Sequence, residues 1–262
     1  MKKEGKRGLL AEGVLGLFTA LMLVLGYLYY ARSLDETTII AVGDIVYVLF
    51  ALVAAGFGIA AVRTYGMNTP EGKLLFLLTL VPITDALAGT LWAIYEVGLG
   101  IMNPYPSPAD AVWFFFYVFG IAAFIYALHK VRKFITPRKV AFTLVVWGVA
   151  VAAIYSATLQ PIFADSEATL TLKFLSGMYP VGDLILAGLA LLLFLSLKGS
   201  RLGTSWKTFT ISFAVYAIAD LFYTYQLYAG TYQTGSVTDV FWYAGQLIMA
   251  YGFYQQIRLL QP

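Results

Sequence analysis

The chain has 262 residues, 60% hydrophobic and only 12% charged, with a mean hydropathy of +0.79. That is more apolar surface than one soluble core can bury, so a water-soluble globular domain is excluded and the lipid bilayer is the expected solvent. The net charge of +3 comes from basic residues at the ends of apolar runs, an insertion signal rather than a nucleic-acid surface, and the absence of cysteine excludes disulfides, thiol catalysis and Cys-ligated metals.

Eight apolar runs follow in order, at roughly 8–31, 38–63, 73–95, 109–129, 139–159, 177–197, 207–229 and 237–258. Each is near the ~20 residues that cross a bilayer as a helix, and none alternates as a barrel strand would. The first follows Lys2, Lys3, Lys6 and Arg7 like a secretory signal, but it ends in Tyr29-Tyr30-Ala31-Arg32 without a small-x-small cleavage site. It reads as a retained helix.

The second run opens AVGDIVYVLFAL and carries Asp44; the third, LVPITDALAGTLWAIYEVG, carries Asp85 just after Pro82. The fourth opens SPADAVWFFF, with Asp110 and Trp113 on one face at i,i+3, and ends at the single histidine, His129. One histidine beside Lys130 reads as interfacial and rules out bis-histidine haem and multi-His zinc. A basic connector, 130–138, leads to the fifth run. The sixth opens YPVGDLILAGLAL with Asp183, the seventh, AVYAIADLFYTYQLYAG, carries Asp220 and Tyr223, and the eighth opens SVTDVFWYAG with Asp239 and Trp242. No lysine lies in the middle of a run, so a retinal Schiff base is excluded as well.

The halves match: Val-Gly-Asp recurs at Asp44 and Asp183, a mid-run acid at Asp85 and Asp220, and Asp-x-x-Trp at Asp110 and Asp239. This predicts an all-α membrane protein of two parallel four-helix repeats, 1–130 and 131–262, related by an axis along the membrane normal. With the amino terminus inside, only Arg32 and Lys173 of the 17 basic residues fall outside, so both termini are expected in the cytoplasm of a multi-pass cell-membrane protein.

Acids inside a membrane cost on the order of 2.5–3.5 kcal/mol each at a helix centre, so six at matched positions need a reason. For Asp44, Asp110, Asp183 and Asp239, expected in first turns, capping of the helix N-terminus is one. Asp85 and Asp220 lie about twelve residues, roughly 18 Å, into their helices. Their expected partners are hydroxyls, amides, tyrosines or a bound cation, with Thr84, Thr90, Tyr216, Tyr223, Tyr225, Gln226 and Gln246 as candidates; the alternative is a protonated aspartate hydrogen-bonded between helices. Trp92, Tyr95, Trp113, Tyr117, Tyr179, Tyr223, Tyr225 and Trp242 fall in the same outer leaflet, as a cation-binding cage or as an interfacial aromatic belt.

The segments NPYPSPADAVWFFFYVFGIAAF, YPVGDLILAGLALLLFL and AVYAIADLFYTYQLYAGTYQTGSVTDVFWYAGQLIMAYGF resemble the eight-helix amino-terminal membrane domains of bacterial signalling proteins that carry diguanylate cyclase or phosphodiesterase domains. The likeness covers about 95–262 and, more loosely, the rest of the chain. It implies a sensor or ligand-binding module; since nothing follows Pro262, the expectation is a stand-alone module rather than an enzyme. The expected site is an outward-facing cavity lined by Asp44, Asp85, Asp110, Trp113, Asp183, Asp220, Tyr223, Asp239 and Trp242, for a small cationic or polar ligand. A membrane or cytoplasmic partner would receive the signal, and no cofactor is named. Two alternatives stay open: a cation- or proton-coupled transporter, and a lysoplasmalogenase-like lipid hydrolase.

Overall fold

The computed structural model describes residues 2–32, 34–200 and 203–260; Arg201 and Pro262 lie outside the described residues. Among the described residues the regular secondary structure is all helical. α1 (Lys2–Ala31), α2 (Glu36–Tyr65), α3 (Pro70–Ala93), α4 (Pro108–Lys130), α5 (Pro137–Ile154), the short α6 (Gln160–Ala164), α7 (Leu170–Leu197), α8 (Gly203–Tyr228) and α9 (Asp239–Leu259) follow in order. A π turn, Tyr155–Leu159, joins α5 and α6 into one helix, and another, Ile94–Gly98, ends α3.

Local chemistry sets the boundaries. The side chains of Asp35, Thr69, Thr136 and Thr169 each accept a backbone N–H from the first turn of the helix that follows, and Pro70, Pro108 and Pro137 occupy first turns, where a missing N–H costs nothing. Six helices, the first four, the α5–α6 unit and α7, are long and apolar enough to cross a membrane. α8 and α9 are long but more polar, because they carry Ser205, Ser212, Thr224, Gln246 and Gln256, all buried against neighbouring helices.

Six helices close a ring. α2 packs on α3, α3 on α4, α4 on α7, α7 on α8, α8 on α9, and α9 back on α2. α1 lies outside, where Leu25 and Tyr29 cluster with Ile39, Ile40, Phe50 and Tyr243. α5 also lies outside, tied to α7 by Trp147 Nε1 donating to the Leu184 carbonyl at 2.7 Å. The ring's interior is divided along its length. Toward the end where α3 and α8 begin, Leu78, Phe124, Leu193, Phe209 and Phe253 fill it with apolar side chains. Toward the end where α2, α4, α7 and α9 begin, it is lined by tyrosines, tryptophans and acids.

Candidate functional site

Asp85 sits in the middle of that polar half, only 1% exposed. Its Oδ1 accepts from Tyr47 Oη (2.5 Å) and Trp113 Nε1 (3.1 Å), and its Oδ2 from Tyr216 Oη (2.7 Å) and Gln246 Nε2 (2.9 Å). Four donors on two oxygens is the number a carboxylate's lone pairs accommodate. They come from α2, α4, α8 and α9, so this one side chain ties four helices to α3. Asp220 is held similarly, by Trp242 Nε1 at 2.7 Å and Tyr117 Oη at 3.0 Å.

The two sets correspond. Trp113 and Trp242 each donate to the aspartate of their own half. Four residues further along the same helices, Tyr117 and Gln246 reach across to the aspartate of the other half.

Glycines seat the tyrosines. A Cβ at Gly89 would meet the Tyr47 ring at 2.7 Å and one at Gly245 the Tyr216 ring at 2.8 Å, while one at Gly182 would collide with Tyr117. Each ring therefore lies on backbone, which fixes where its hydroxyl points.

The remaining acids divide differently from the sequence expectation. Asp110 caps α4: its Oδ2 accepts the Ser107 N–H at 2.6 Å in a capping box, and its Oδ1 accepts from Tyr179 Oη at 2.5 Å. Asp239 likewise closes the turn before α9, accepting the Gly235 N–H at 2.7 Å and Tyr232 Oη at 3.1 Å. Asp44 and Asp183 are not in first turns. Their helices begin earlier than the apolar runs suggest, at Glu36 and Leu170, so the two acids lie about two and about three and a half turns inside. Asp183 shares the Tyr117 hydroxyl with Asp220, at 3.3 Å.

Asp44, Asp85, Asp220, Asp239, Trp113, Tyr223 and Trp242 line one cavity of about 70 Å³, together with Trp92, Tyr47, Tyr232, Thr234 and Tyr243. One water needs about 10–15 Å³ on this scale, so there is room for a handful of water-sized groups. Asp110 and Asp183 do not reach the cavity and stand behind Tyr179 and Tyr117, which do. A second cavity, of about 350 Å³, adjoins it across Tyr179 and Tyr223. The six aspartates thus form no single acidic lining, because only four of them, Asp44, Asp85, Asp220 and Asp239, reach the cavity.

Of the expected partners, Tyr216 and Gln246 bind Asp85, whereas Thr84 and Thr90 donate to carbonyls of their own helix, Gln226 accepts from Thr238, and Tyr225 is exposed. Sequence reasoning missed Tyr47, Tyr232, Tyr243 and Glu96. Glu96 is 3% exposed because the π turn at the end of α3 rotates it inward, where its Oε1 accepts the Asn103 N–H at 2.8 Å. Comparisons with known protein families, characterised proteins and solved structures find no match to this chain.

Proposed function

We propose that this is a multi-pass membrane protein whose eight long helices all cross the bilayer, and that it is a sensor-like binding module for a small cationic or polar ligand. The observation that carries the reading is the convergence of Asp44, Asp85, Asp220 and Asp239 with Trp92, Trp113 and Trp242 on one cavity at one end of the helix ring. Acids held inside a membrane bundle at a cost belong where charge is recognised or moved.

The orientation rests on charge. Arg63, Lys73, Lys130, Arg132, Lys133, Arg138, Lys139, Lys198 and Lys207 all sit at the end opposite the cavity, so by the positive-inside rule the cavity faces out and both termini face the cytoplasm. The polar inner faces of α8 and α9 support counting them as spans, since the polar groups are buried against protein. The corresponding Trp113–Asp85 and Trp242–Asp220 bonds, with the crossed Tyr117–Asp220 and Gln246–Asp85 bonds, support two parallel repeats, 1–130 and 131–262.

The test is thermal unfolding of the detergent-solubilised protein against a panel of small ammonium compounds, alkali cations and polar metabolites, with mass spectrometry of whatever copurifies. At least one compound should raise the melting temperature saturably. The rise should persist in Trp147→Phe, outside the cavity, and shrink in Asp220→Asn. A panel and a copurified set that leave the melting temperature unchanged would sink the binding reading.

A second reading, a cation- or proton-coupled carrier, draws on Pro82 and Pro180. Each lies inside a helix three residues before a buried aspartate, Asp85 or Asp183. Proline at these points removes a helix hydrogen bond and permits bending beside the acid. Ion flux into proteoliposomes, lost in Asp85→Asn, would favour it.

A further inference from the structure

Beside Asp85 and Asp220, Asp44 and Asp239 line the same cavity, with Glu96 neighbouring Asp44, and this acidic group is provided for differently. Asp239 has its donors in the Gly235 N–H and the Tyr232 hydroxyl. Asp44 and Glu96 are not matched in this way, although Glu96 Oε1 accepts the Asn103 N–H. Their carboxyl groups are neighbours and repel when both are ionised. Asp44 Oδ2 and Glu96 Oε2 find no hydrogen-bond partner among the described residues, and neither does Thr234 Oγ1. All three residues are at most 5% exposed.

The fold holds these atoms together. Gly43, one residue before Asp44, lets the 234–235 turn lie directly on α2: a Cβ there would come within 3.2 Å of both the Gly235 nitrogen and the Thr234 methyl group. Gly235 itself has φ of +82°, a conformation glycine adopts without strain. Thr234 thereby lines the cavity together with Asp44, while Glu96, in the π turn, neighbours Asp44 without lining the cavity.

Buried acceptors without donors are costly, and two carboxyl groups side by side add repulsion. What would satisfy them carries positive charge and several N–H donors. A multidentate metal suits the group less, because among the described residues no three histidine or acidic side chains converge at ligating spacing. The facing walls are aromatic: Tyr47, Trp242 and Tyr243 line the same space, with the Tyr47 and Trp242 rings 6.1 Å apart. Such faces attract a cation and accept its carbon body.

We propose that Asp44, Glu96 and Thr234 form an ammonium subsite for a small primary amine. The –NH₃⁺ group donates to Asp44 Oδ2 and Thr234 Oγ1, Glu96 adds charge from beside Asp44, and the carbon body rests among Tyr47, Trp242 and Tyr243. The proposal rests on reading the cavity as a ligand site and names the charged end of the ligand.

The test is a titration of the full-length protein with ethylammonium chloride, read by thermal shift, with sodium chloride and tetramethylammonium chloride at equal ionic strength. Ethylammonium should raise the melting temperature saturably. Tetramethylammonium, which has charge but no N–H, should bind at least about tenfold more weakly. Asp44→Asn and Thr234→Val should each weaken ethylammonium by about tenfold, and Trp147→Phe should leave it unchanged. Thr234→Val sits on a turn and removes only a hydroxyl, so it serves if Asp44→Asn does not fold. Equal binding of the two ammonium ions, or full affinity in Thr234→Val, overturns the subsite. Loss in Asp85→Asn with retention in Asp44→Asn moves the ammonium away from Asp44 and overturns the assignment, while the cavity reading stands. No response to ethylammonium alongside a response to another compound of the panel does the same.

Discussion

The hydroxyl of Tyr117 lies 3.0 Å from Asp220 Oδ2 and 3.3 Å from Asp183 Oδ1, so a single phenol on α4 holds two carboxyl groups from α7 and α8. It has one proton to donate, and the second oxygen of Asp183 finds no partner among the described residues. Tyr117→Phe should therefore leave two acids facing each other and destabilise the bundle by roughly 1–2 kcal/mol, within the range of hydrogen bonds in membrane helices. Adding Asp183→Asn supplies an N–H toward Asp220, so the double variant should unfold at a higher temperature than Tyr117→Phe alone. Additive losses would show that the two acids do not interact.

At Asp85 the number of donors decides the outcome. Asp85→Leu strands four buried donors and should cost about 3 kcal/mol or more. Asp85→Asn should cost about 1 kcal/mol, because the Tyr216 hydroxyl can accept and the Gln246 amide can turn its oxygen, which finds no partner among the described residues, toward the new amide. Chemical denaturation in detergent compares the two, and equal losses would mean that charge, not donor count, sets the cost.

Gly182 is a seat for Tyr117, and a methyl group there would collide with the ring. Gly182→Ala should lose about 1–3 kcal/mol through overpacking. Gly148→Ala, at a position with nothing within 4 Å of the added methyl, should be neutral or slightly stabilising, which the same denaturation experiment reads.

The Val-Gly-Asp repeat was visible in the sequence, yet its meaning was not. The glycine in each copy makes room for something distant in sequence, the 234–235 turn at Gly43 and the Tyr117 ring at Gly182. The helices themselves were legible because apolar runs of membrane length leave few alternatives. Their starts are less so: α7 begins at Leu170, capped by Thr169, but Thr171, Lys173 and Ser176 break up the apolar run there, which puts Asp183 nearer the helix start than it is. Tyr47 and Tyr243 were passed over because a tyrosine in an apolar helix looks the same whether it faces lipid or a buried acid. Glu96 was missed because a π turn breaks the periodicity on which facing is judged.

Topology can be read directly in this cysteine-free background. Single cysteines at Thr37, Ser107, Ser166 and Ser236 should be labelled from outside, and those at Thr69, Thr136 and Ser200 from inside. Ser107 and Thr136 bracket α4. Labelling of both from one side would remove that span.

Of the five tryptophans, Trp92, Trp113 and Trp242 stand in the cavity wall, and two of them give their indole N–H to Asp85 and Asp220. Indole emission depends on the charge beside the ring and on the water reaching it. The protein thus carries its own optical reporter: whatever enters the cavity, or alters the carboxylates, should change the colour and yield of its fluorescence without any added dye.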